Sequence, residues 1–201
     1  MRIDPAGWPF VVGLGVAALA AAFWSPWLAL IPLLLLAFTV NFFRDPERRV
    51  PTDSALILAP ACGRVIVAGP SRVSIFMNVF DVHVCRSPVA GRVVSVEHTR
   101  GKFVSAYRDA ASEHNERVVL VLEPPSGGAV RVTLVAGLVA RRIVCRVAAG
   151  RTLTAGERIG IIRFGSRVDV DLPDGARVAV GLRDRVVSGE TALARTAAAS
   201  L

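Results

Sequence analysis

Hydrophobic and polar positions follow two different patterns along the chain, and the change falls near residue 43. Residues 8–43 contain no charged side chain, and Ser25-Pro26 divides them into two apolar stretches of 17 residues each. That length is at the lower limit for a helix that crosses a bilayer, and tryptophans stand at three of the four ends, where indole rings favour the membrane–water interface. We therefore expect 1–43 to form a membrane anchor, a hairpin of two short hydrophobic helices. One tilted span and a re-entrant anchor lying partly in the interface are the alternatives.

Arginines flank the apolar segment and indicate its orientation. Arg2 precedes the first stretch, and Arg44, Arg48 and Arg49 follow the second. Positive residues beside a spanning segment stay on the cytoplasmic side of a membrane. A hairpin would therefore place the N-terminus and the remaining domain, 44–201, at the cytoplasmic face of the cell membrane.

After residue 51 the pattern changes to short β-branched runs that are separated by glycine and proline. Such runs, without helices alternating between them, predict a mainly β domain, an antiparallel sandwich or barrel-like fold. A helical period is visible only around 106–113, and we expect the alanine-rich tail after Gly189 to be a mobile end. The predicted strands are 64–68, 91–96, 117–122, 129–135, 141–147, 158–164 and 167–172.

Composition narrows the partners that the domain can have. The net charge of +8 favours anionic partners, and Lys102 is the only lysine. The basic residues are scattered and Tyr107 is the only tyrosine, so an anionic membrane surface is favoured and nucleic acid is not. Three cysteines without CxxC spacing and three histidines without an HxH or HExxH arrangement predict neither a disulfide framework nor a metal site.

Two short segments carry candidate chemistry. Gly165-Ser166 is the only Gly-Ser dipeptide, and predicted strands flank it on both sides, which suggests a close-approach or strained backbone position. The second segment contains His83. If the alternation of a strand holds there, Asp81, His83 and Cys85 point to one face and bring a carboxylate next to an imidazole. An ordinary half-buried strand is the alternative.

Five ordered blocks of sequence resemble the small bacterial, pyruvoyl-dependent phosphatidylserine decarboxylases. The resemblance runs from the apolar segment to about Pro173, in the order found in that family. The blocks are FRDPER at 43–48, SIFMNVFDVHV at 74–84 with RSPVAG at 86–91, NER at 115–117, ARRIV at 140–144 and GERIGIIRFGS at 156–166.

The resemblance implies a proenzyme that cuts itself between Gly165 and Ser166, giving a β chain 1–165 and an α chain 166–201. The Ser166 hydroxyl would attack the Gly165 carbonyl, and Ser166 would end as a pyruvoyl group. A Schiff base between that group and phosphatidylserine would allow decarboxylation to phosphatidylethanolamine, with His83 as the proton donor. Pyridoxal phosphate and a metal are not expected.

The partners implied are the anionic phospholipid substrate, the membrane, and the second chain of an α/β heterodimer, with further dimerisation left open. Three residues are candidate accessory groups, Cys62, Asp81 and Arg86. Two of them depart from the family pattern, because Cys62 stands where an aspartate is usual and Arg86 where larger relatives carry a second histidine. These departures keep an alternative open, a processing-deficient paralogue that serves as a membrane-tethered lipid-binding or structural protein on the same fold.

Overall fold

The chain folds into two compact units, Met1–Glu47 and Arg48–Leu201. The computed structural model describes residues 2–101, 115–137, 142–163 and 166–196. The helical unit thus extends to Glu47, and the division into domains at residue 43 stays a prediction.

The first unit is a hairpin of two helices, α1 (Trp8–Trp24) and α2 (Pro26–Phe42). Ser25 lies between them in an extended conformation, and Pro26 begins α2, a position where its missing N–H costs nothing. A short 3₁₀ helix, Pro5–Gly7, precedes α1, and strands β1 (Arg2–Ile3) and β2 (Arg44–Asp45) pair to close the hairpin. The predicted pair of helices is confirmed.

Most large side chains of the two helices face outwards, including Phe23 and Trp24. An apolar surface on all sides is typical of a helix in lipid. Together with the 3₁₀ turn, the first helical segment, 5–24, has the length and composition to cross a membrane, whereas α2 is shorter.

The second unit is built from antiparallel strands. Their bounds are β3 (Leu56–Leu58), β4 (Gly63–Ala68), β5 (Arg72–Met77), β6 (Val84–Arg86), β7 (Gly91–Thr99), β8 (Arg117–Glu123), β9 (Val130–Ala136), β10 (Ile143–Cys145), β11 (Thr152–Leu153), β12 (Arg158–Ile162), β13 (Ser166–Asp171), β14 (Arg177–Val178), β15 (Arg185–Val186) and β16 (Ala192–Arg195). The predicted fold class, mainly β with antiparallel sheets after an apolar helical segment, is confirmed.

The strands form one large sheet and two small ones. The large sheet has the order β11-β7-β8-β9-β13-β5-β4-β15, and the small sheets have the orders β10-β12-β6 and β14-β16-β3. Alternate residues of β5, β8, β9 and β13 point to one face and bury valine, isoleucine and leucine in a common core. Strand β13 is central, and both of its faces are buried for most of its length.

The structure departs from two of the predictions about the second unit, and a third prediction lies outside the described residues. The strand expected across 81–85 is wrong in its first half, because 78–81 forms a turn and β6 begins only at Val84. The tail after Gly189 is not a mobile end throughout, because β16 pairs with both β14 and β3. The helix expected at 106–113 lies outside the described residues.

Gly63, the first residue of β4, offers a test of how closely β4 and β5 pack. Its φ of 155° and a virtual Cβ only 2.1 Å from the Phe76 carbonyl oxygen leave no space for a side chain. Gly63→Ala should therefore lower the free energy of unfolding by about 2 kcal/mol or more. Thermal or denaturant unfolding of the full chain in detergent measures this change.

Gly69→Ala is the matched control, since Gly69 lies in the loop between the same two strands and its virtual Cβ is at an ordinary distance of 3.5 Å from the Arg72 carbonyl oxygen. Equal losses of stability in the two variants would contradict the described packing of β4 on β5.

Candidate active site

Ser166 occupies the first position of β13, at one end of the core. It lies opposite Met77 of β5 on one side and Ala136 of β9 on the other. Its side chain shares a face with Val168, so it points into the core, and the residue is fully buried. Its Oγ has no hydrogen-bond partner among the described residues. Gly165, the other residue of the predicted cleavage bond, lies outside them.

An unpaired hydroxyl in this place is unusual, because burying a polar group without a partner costs about 1–3 kcal/mol. The cross-strand neighbours, Met77 and Ala136, contribute only apolar side chains, so they offer the hydroxyl no partner. The hydroxyl of Ser166 is thus engaged by no other residue of the described structure.

Asn115 fixes one side of this environment. The residue is fully buried, and its Nδ2 donates a hydrogen bond of 2.7 Å to the Ala136 carbonyl oxygen. The Ala136 amide in turn donates to the Glu116 carbonyl oxygen at 2.9 Å. The end of β9 beside Ser166 is therefore held by both backbone groups of Ala136. Sequence reasoning placed Asn115 only in a family block, because its bond reaches 21 residues along the chain.

His83 is buried, and one of its two ring nitrogens has a described partner. Nδ1 lies 2.9 Å from the carbonyl oxygen of Asp81. A carbonyl can only accept, so Nδ1 carries the hydrogen, and in the neutral ring Nε2 is the nitrogen that can take up a proton. The contact thus sets the tautomer that a proton-transfer residue needs.

His83 and Ser166 lie at the same end of the domain. The Ile162 amide at the end of β12 donates to the His83 carbonyl oxygen at 3.4 Å. Since Ile162 precedes Ser166 by four residues, their Cα atoms are separated by at most about 14 Å. Met77, opposite Ser166, also leads into the turn before His83. The segments 162–166 and 77–83 therefore both lead from the surroundings of Ser166 to His83.

The Asp81 carboxylate lies in a turn and not in the strand that was predicted for this segment. Its carboxylate accepts a hydrogen bond of 3.0 Å from the Asn78 amide and forms an ion pair of 3.3 Å with Arg185. The carboxylate shapes the turn at 78–81, while the backbone carbonyl of Asp81 contacts His83. The expected carboxylate–imidazole pair along a strand is replaced by this backbone contact.

Cys85 contacts the backbone of His83. Its thiol donates to the His83 carbonyl oxygen at a distance of 3.6 Å. Burial raises the pKa of the Cys85 thiol, and the neighbouring Cys62 and Cys145 raise it further. Cys85 therefore stays a neutral donor, and its contact with the backbone of residue 83 persists across the physiological pH range.

Cys62 is in contact with a second group of polar residues. Its sulfur accepts hydrogen bonds from Arg48 Nη2 and from the Ser188 amide, both at 3.3 Å, and its thiol donates to Ser188 Oγ at 3.4 Å. None of these described contacts joins Cys62 to Ser166 or His83. Strand β4, which follows Cys62, is separated from β13 by β5, so about 10 Å lies between the two strands.

Arg86 belongs to the neighbourhood of Cys62 rather than to that of Ser166. Its guanidinium Nη1 donates to the Gly156 carbonyl oxygen at 3.0 Å, and its amide donates to the Pro60 carbonyl oxygen at 2.8 Å. A Cβ added to Gly189, directly after Ser188, would lie 3.2 Å from Arg86 Cδ. The described contacts thus connect Cys62 with Arg86 through Ser188 and Gly189, and Cys62 also neighbours Cys85, which contacts the backbone of His83.

A buried ion pair lies next to Ser166 and was not predicted. Arg167 Nε donates to Asp169 Oδ1 at 2.6 Å, and Arg167 Nη2 donates to Ser74 Oγ at 3.1 Å. All three residues are buried on the face of β13 that is opposite to the Ser166 side chain. The sequence showed only an arginine and an aspartate two residues apart in a strand, a pattern that surface strands also have. In the described part of the chain, no group of three or more His, Cys, Asp or Glu side chains could hold a metal ion.

Comparison with known proteins identifies the family. The family model of phosphatidylserine decarboxylase matches residues 35–194. A protein of Nitratidesulfovibrio vulgaris is 47% identical over 97% of this chain and 95% of its own length. Proteins of Paraburkholderia phymatum and Nitrobacter winogradskyi are each 45% identical, over 94% and 96% of this chain and 94% and 83% of their own lengths. All three relatives are named phosphatidylserine decarboxylase proenzyme. The resemblance found in the sequence is confirmed, and the chain belongs to the phosphatidylserine decarboxylase family.

Proposed function

We propose that this protein is a proenzyme that cleaves itself before Ser166 and then converts phosphatidylserine to phosphatidylethanolamine. The observation that carries the proposal is the buried Ser166 hydroxyl, which begins the central strand β13 and has no hydrogen-bond partner among the described residues. An unsatisfied buried group in a native fold calls for a functional explanation. A nucleophile that attacks its own preceding peptide bond provides one.

Self-cleavage uses the chain's own groups and one water molecule. Ser166 Oγ bonds to the carbonyl carbon of Gly165 while the bond from that carbon to the Ser166 nitrogen breaks, which gives an ester and a free amine. Loss of the Ser166 Cα proton then expels Gly165 as a carboxylate and leaves dehydroalanine. Water converts the dehydroalanine to a ketone and releases ammonia. The products are a β chain 1–165 and an α chain that begins with a pyruvoyl group at position 166.

The surroundings of Ser166 fit a small uncharged group at this position. Met77 and Ala136 flank it with apolar side chains, and Asn115 holds the backbone of Ala136 in place. A pyruvoyl ketone supplies an electron sink for the electrons that are released as CO₂ leaves. Residue 166 is fully buried, which keeps bulk solvent away from this position. Nδ1 of His83 already donates to the Asp81 carbonyl oxygen, so Nε2 is the nitrogen that takes up a proton and then delivers it to the substrate carbon.

The place of action follows from the first unit and the charge. The apolar helices anchor the protein in the cell membrane, with the second unit on the cytoplasmic side. Anionic phospholipid is both substrate and surface, and the net charge of +8 favours that surface. The α and β chains stay together as a heterodimer through the pairing of β13 with β5 and β9. The alternative is a binding protein on the same fold that never cleaves itself. It is not favoured, because the relatives that match nearly the whole chain are named proenzymes.

Replacing the nucleophile tests self-cleavage directly. Ser166→Ala should remain one chain of 21.3 kDa and make no phosphatidylethanolamine, because no hydroxyl is available for attack. Intact-mass measurement of the purified protein detects cleavage, and lipid analysis detects phosphatidylethanolamine. The matched control is Ser126→Ala in an exposed turn, which should cleave like the unaltered chain. Cleavage of Ser166→Ala at the same bond would show that Ser166 is not the nucleophile.

Replacing His83 tests the proton donor. His83→Gln should lower the rate of decarboxylation per cleaved chain about 100-fold or more, because glutamine cannot transfer a proton. The amount of cleaved chain is determined by mass spectrometry, and phosphatidylethanolamine by lipid analysis. His98→Gln is the control, since His98 is half exposed and paired with Glu116. A full rate per cleaved chain in His83→Gln would remove His83 from the reaction.

Cys62 is tested through the speed of self-cleavage. An aspartate at this position could accept the same two hydrogen bonds, from Arg48 and the Ser188 amide, with a carboxylate, which is a stronger acceptor than a thiol. Cys62→Asp should therefore accelerate self-cleavage several-fold, and Cys62→Ala should slow it, as followed by the appearance of the α chain with time. Identical rates in all three proteins would mean that this turn has no part in processing.

A further inference from the structure

Two turns of the second unit are constructed alike. In the turn at 78–81 the Asp81 carboxylate accepts a hydrogen bond of 3.0 Å from the amide of Asn78, three residues earlier. In the turn at 181–184 the Asp184 carboxylate accepts one of 2.8 Å from the amide of Gly181, also three residues earlier. Each turn is thus closed by an aspartate at its fourth position, which leaves its middle residues to point away from the domain.

The two turns lie side by side. Arg185, directly after the second turn, forms an ion pair of 3.3 Å with Asp81 in the first. Strand β4 holds the second turn in place, since the Val65 amide donates to the Asp184 carbonyl oxygen at 2.9 Å and the Arg183 amide donates to the Val65 carbonyl oxygen at 2.8 Å. We refer to 78–81 and 181–184 together as the paired turns.

Each of the paired turns exposes a large apolar side chain. Phe80 is 66% exposed and Leu182 is 64% exposed. Among the described residues of the second unit, the only other large hydrophobic residue with comparable exposure is Val94, at 51% on β7. Arg183 has a φ of 72°, a conformation that costs energy for a residue other than glycine. The fold thus accepts local strain in the turn that presents Leu182.

Basic side chains surround the two apolar ones. Arg64, Arg183 and Arg185 are exposed, whereas Asp184 is the one exposed carboxylate of the paired turns and Asp81 is buried. Arg64 and Arg185 also lie directly opposite each other where β4 pairs with β15. Two like charges placed across a strand pair repel each other, and an anionic surface relieves that repulsion. Apolar tips within a basic border are typical of a surface that enters the interface of an anionic bilayer.

The paired turns also border the candidate active site. The Asp81 carbonyl that orients His83 belongs to the first turn. From these contacts we infer that the paired turns are a membrane-docking surface, which inserts Phe80 and Leu182 into an anionic bilayer and brings His83 and Ser166 to the headgroups. The use of that position for a lipid substrate rests on the proposed function, whereas the insertion itself does not.

Insertion can be measured without any catalysis. The full chain is prepared as Ser166→Ala with Cys145→Ala, because Cys62 and Cys85 are buried and Cys145 is only half-buried. An environment-sensitive fluorophore is attached to a single introduced thiol, from Leu182→Cys or from Val94→Cys as the matched control. In vesicles that contain phosphatidylglycerol, we expect a blue shift and quenching by brominated lipids for the label at 182 and neither for the label at 94.

Either of two outcomes would overturn the docking surface. One is equal exposure of both labels to water in vesicles. The other is a blue shift of the label at 182 that already occurs in detergent and grows with protein concentration, which would identify the paired turns as a contact between copies of this chain.

A kinetic measurement connects docking to the substrate. Leu182→Ser should raise the apparent KM about fivefold for phosphatidylserine in vesicles, because interfacial binding scales with the apolar area inserted. The ratio of this KM to the KM for a short-chain, monomeric phosphatidylserine should rise by the same factor, while Val94→Ser leaves the ratio unchanged. An unaltered ratio in Leu182→Ser would contradict the docking surface. Absence of decarboxylation in the unsubstituted chain would count only against the proposed function, because the fluorescence result stands by itself.

Discussion

The pairing of β13 on both sides is the interaction on which the rest of the second unit depends. Six consecutive residues, Ser166–Asp171, are in register with β5 on one edge and with β9 on the other. The strand is therefore fully hydrogen-bonded along both edges, and its valines belong to the core. A bond broken directly before Ser166, with loss of the nitrogen of that residue, leaves the pairs of the following five residues, 167–171, intact. The proposed cleavage thus changes the covalent chain at a point where the fold does not rely on its continuity.

Two further strands after Ser166 also pair with strands that precede it. Strand β15 pairs with β4, and β16 pairs with β3, so the part after Ser166 is interleaved with strands that precede it. The Gly189 amide also donates to the Ala59 carbonyl oxygen, and the Ala59 amide donates to the Thr191 carbonyl oxygen, both at 2.8 Å. A separate α chain would have to break pairs in two sheets before it could leave. Strand interleaving therefore explains how a cleaved protein keeps a buried site dry and in register.

The sequence predicted the features that depend on local pattern. Short β-branched runs located β8, β9 and β13 to within one or two residues, and the lone Gly-Ser dipeptide indicated Ser166 as a candidate. Features that depend on distant partners were missed. Strand β16 has the short sequence ALAR without a clear pattern, and its two central residues are buried because β3 and β14 enclose it. Near His83, alternation alone could not distinguish a strand from a turn that the Asp81 carboxylate closes.

The Arg167–Asp169 pair shows that the buried residues around Ser166 are held by polar contacts as well as by apolar packing. Arg167 directly follows Ser166, and strand alternation sends its side chain to the opposite face, where it is also buried. A buried guanidinium is tolerated only when its charge is paired and its N–H groups have acceptors. Asp169 provides the charge, and Ser74, 93 residues away on β5, accepts a further hydrogen bond. The bond to Ser74 runs from the proposed α chain to the β chain. It fixes the second residue of the new chain, and through the backbone it restrains the position of residue 166, where the chemistry is proposed to occur.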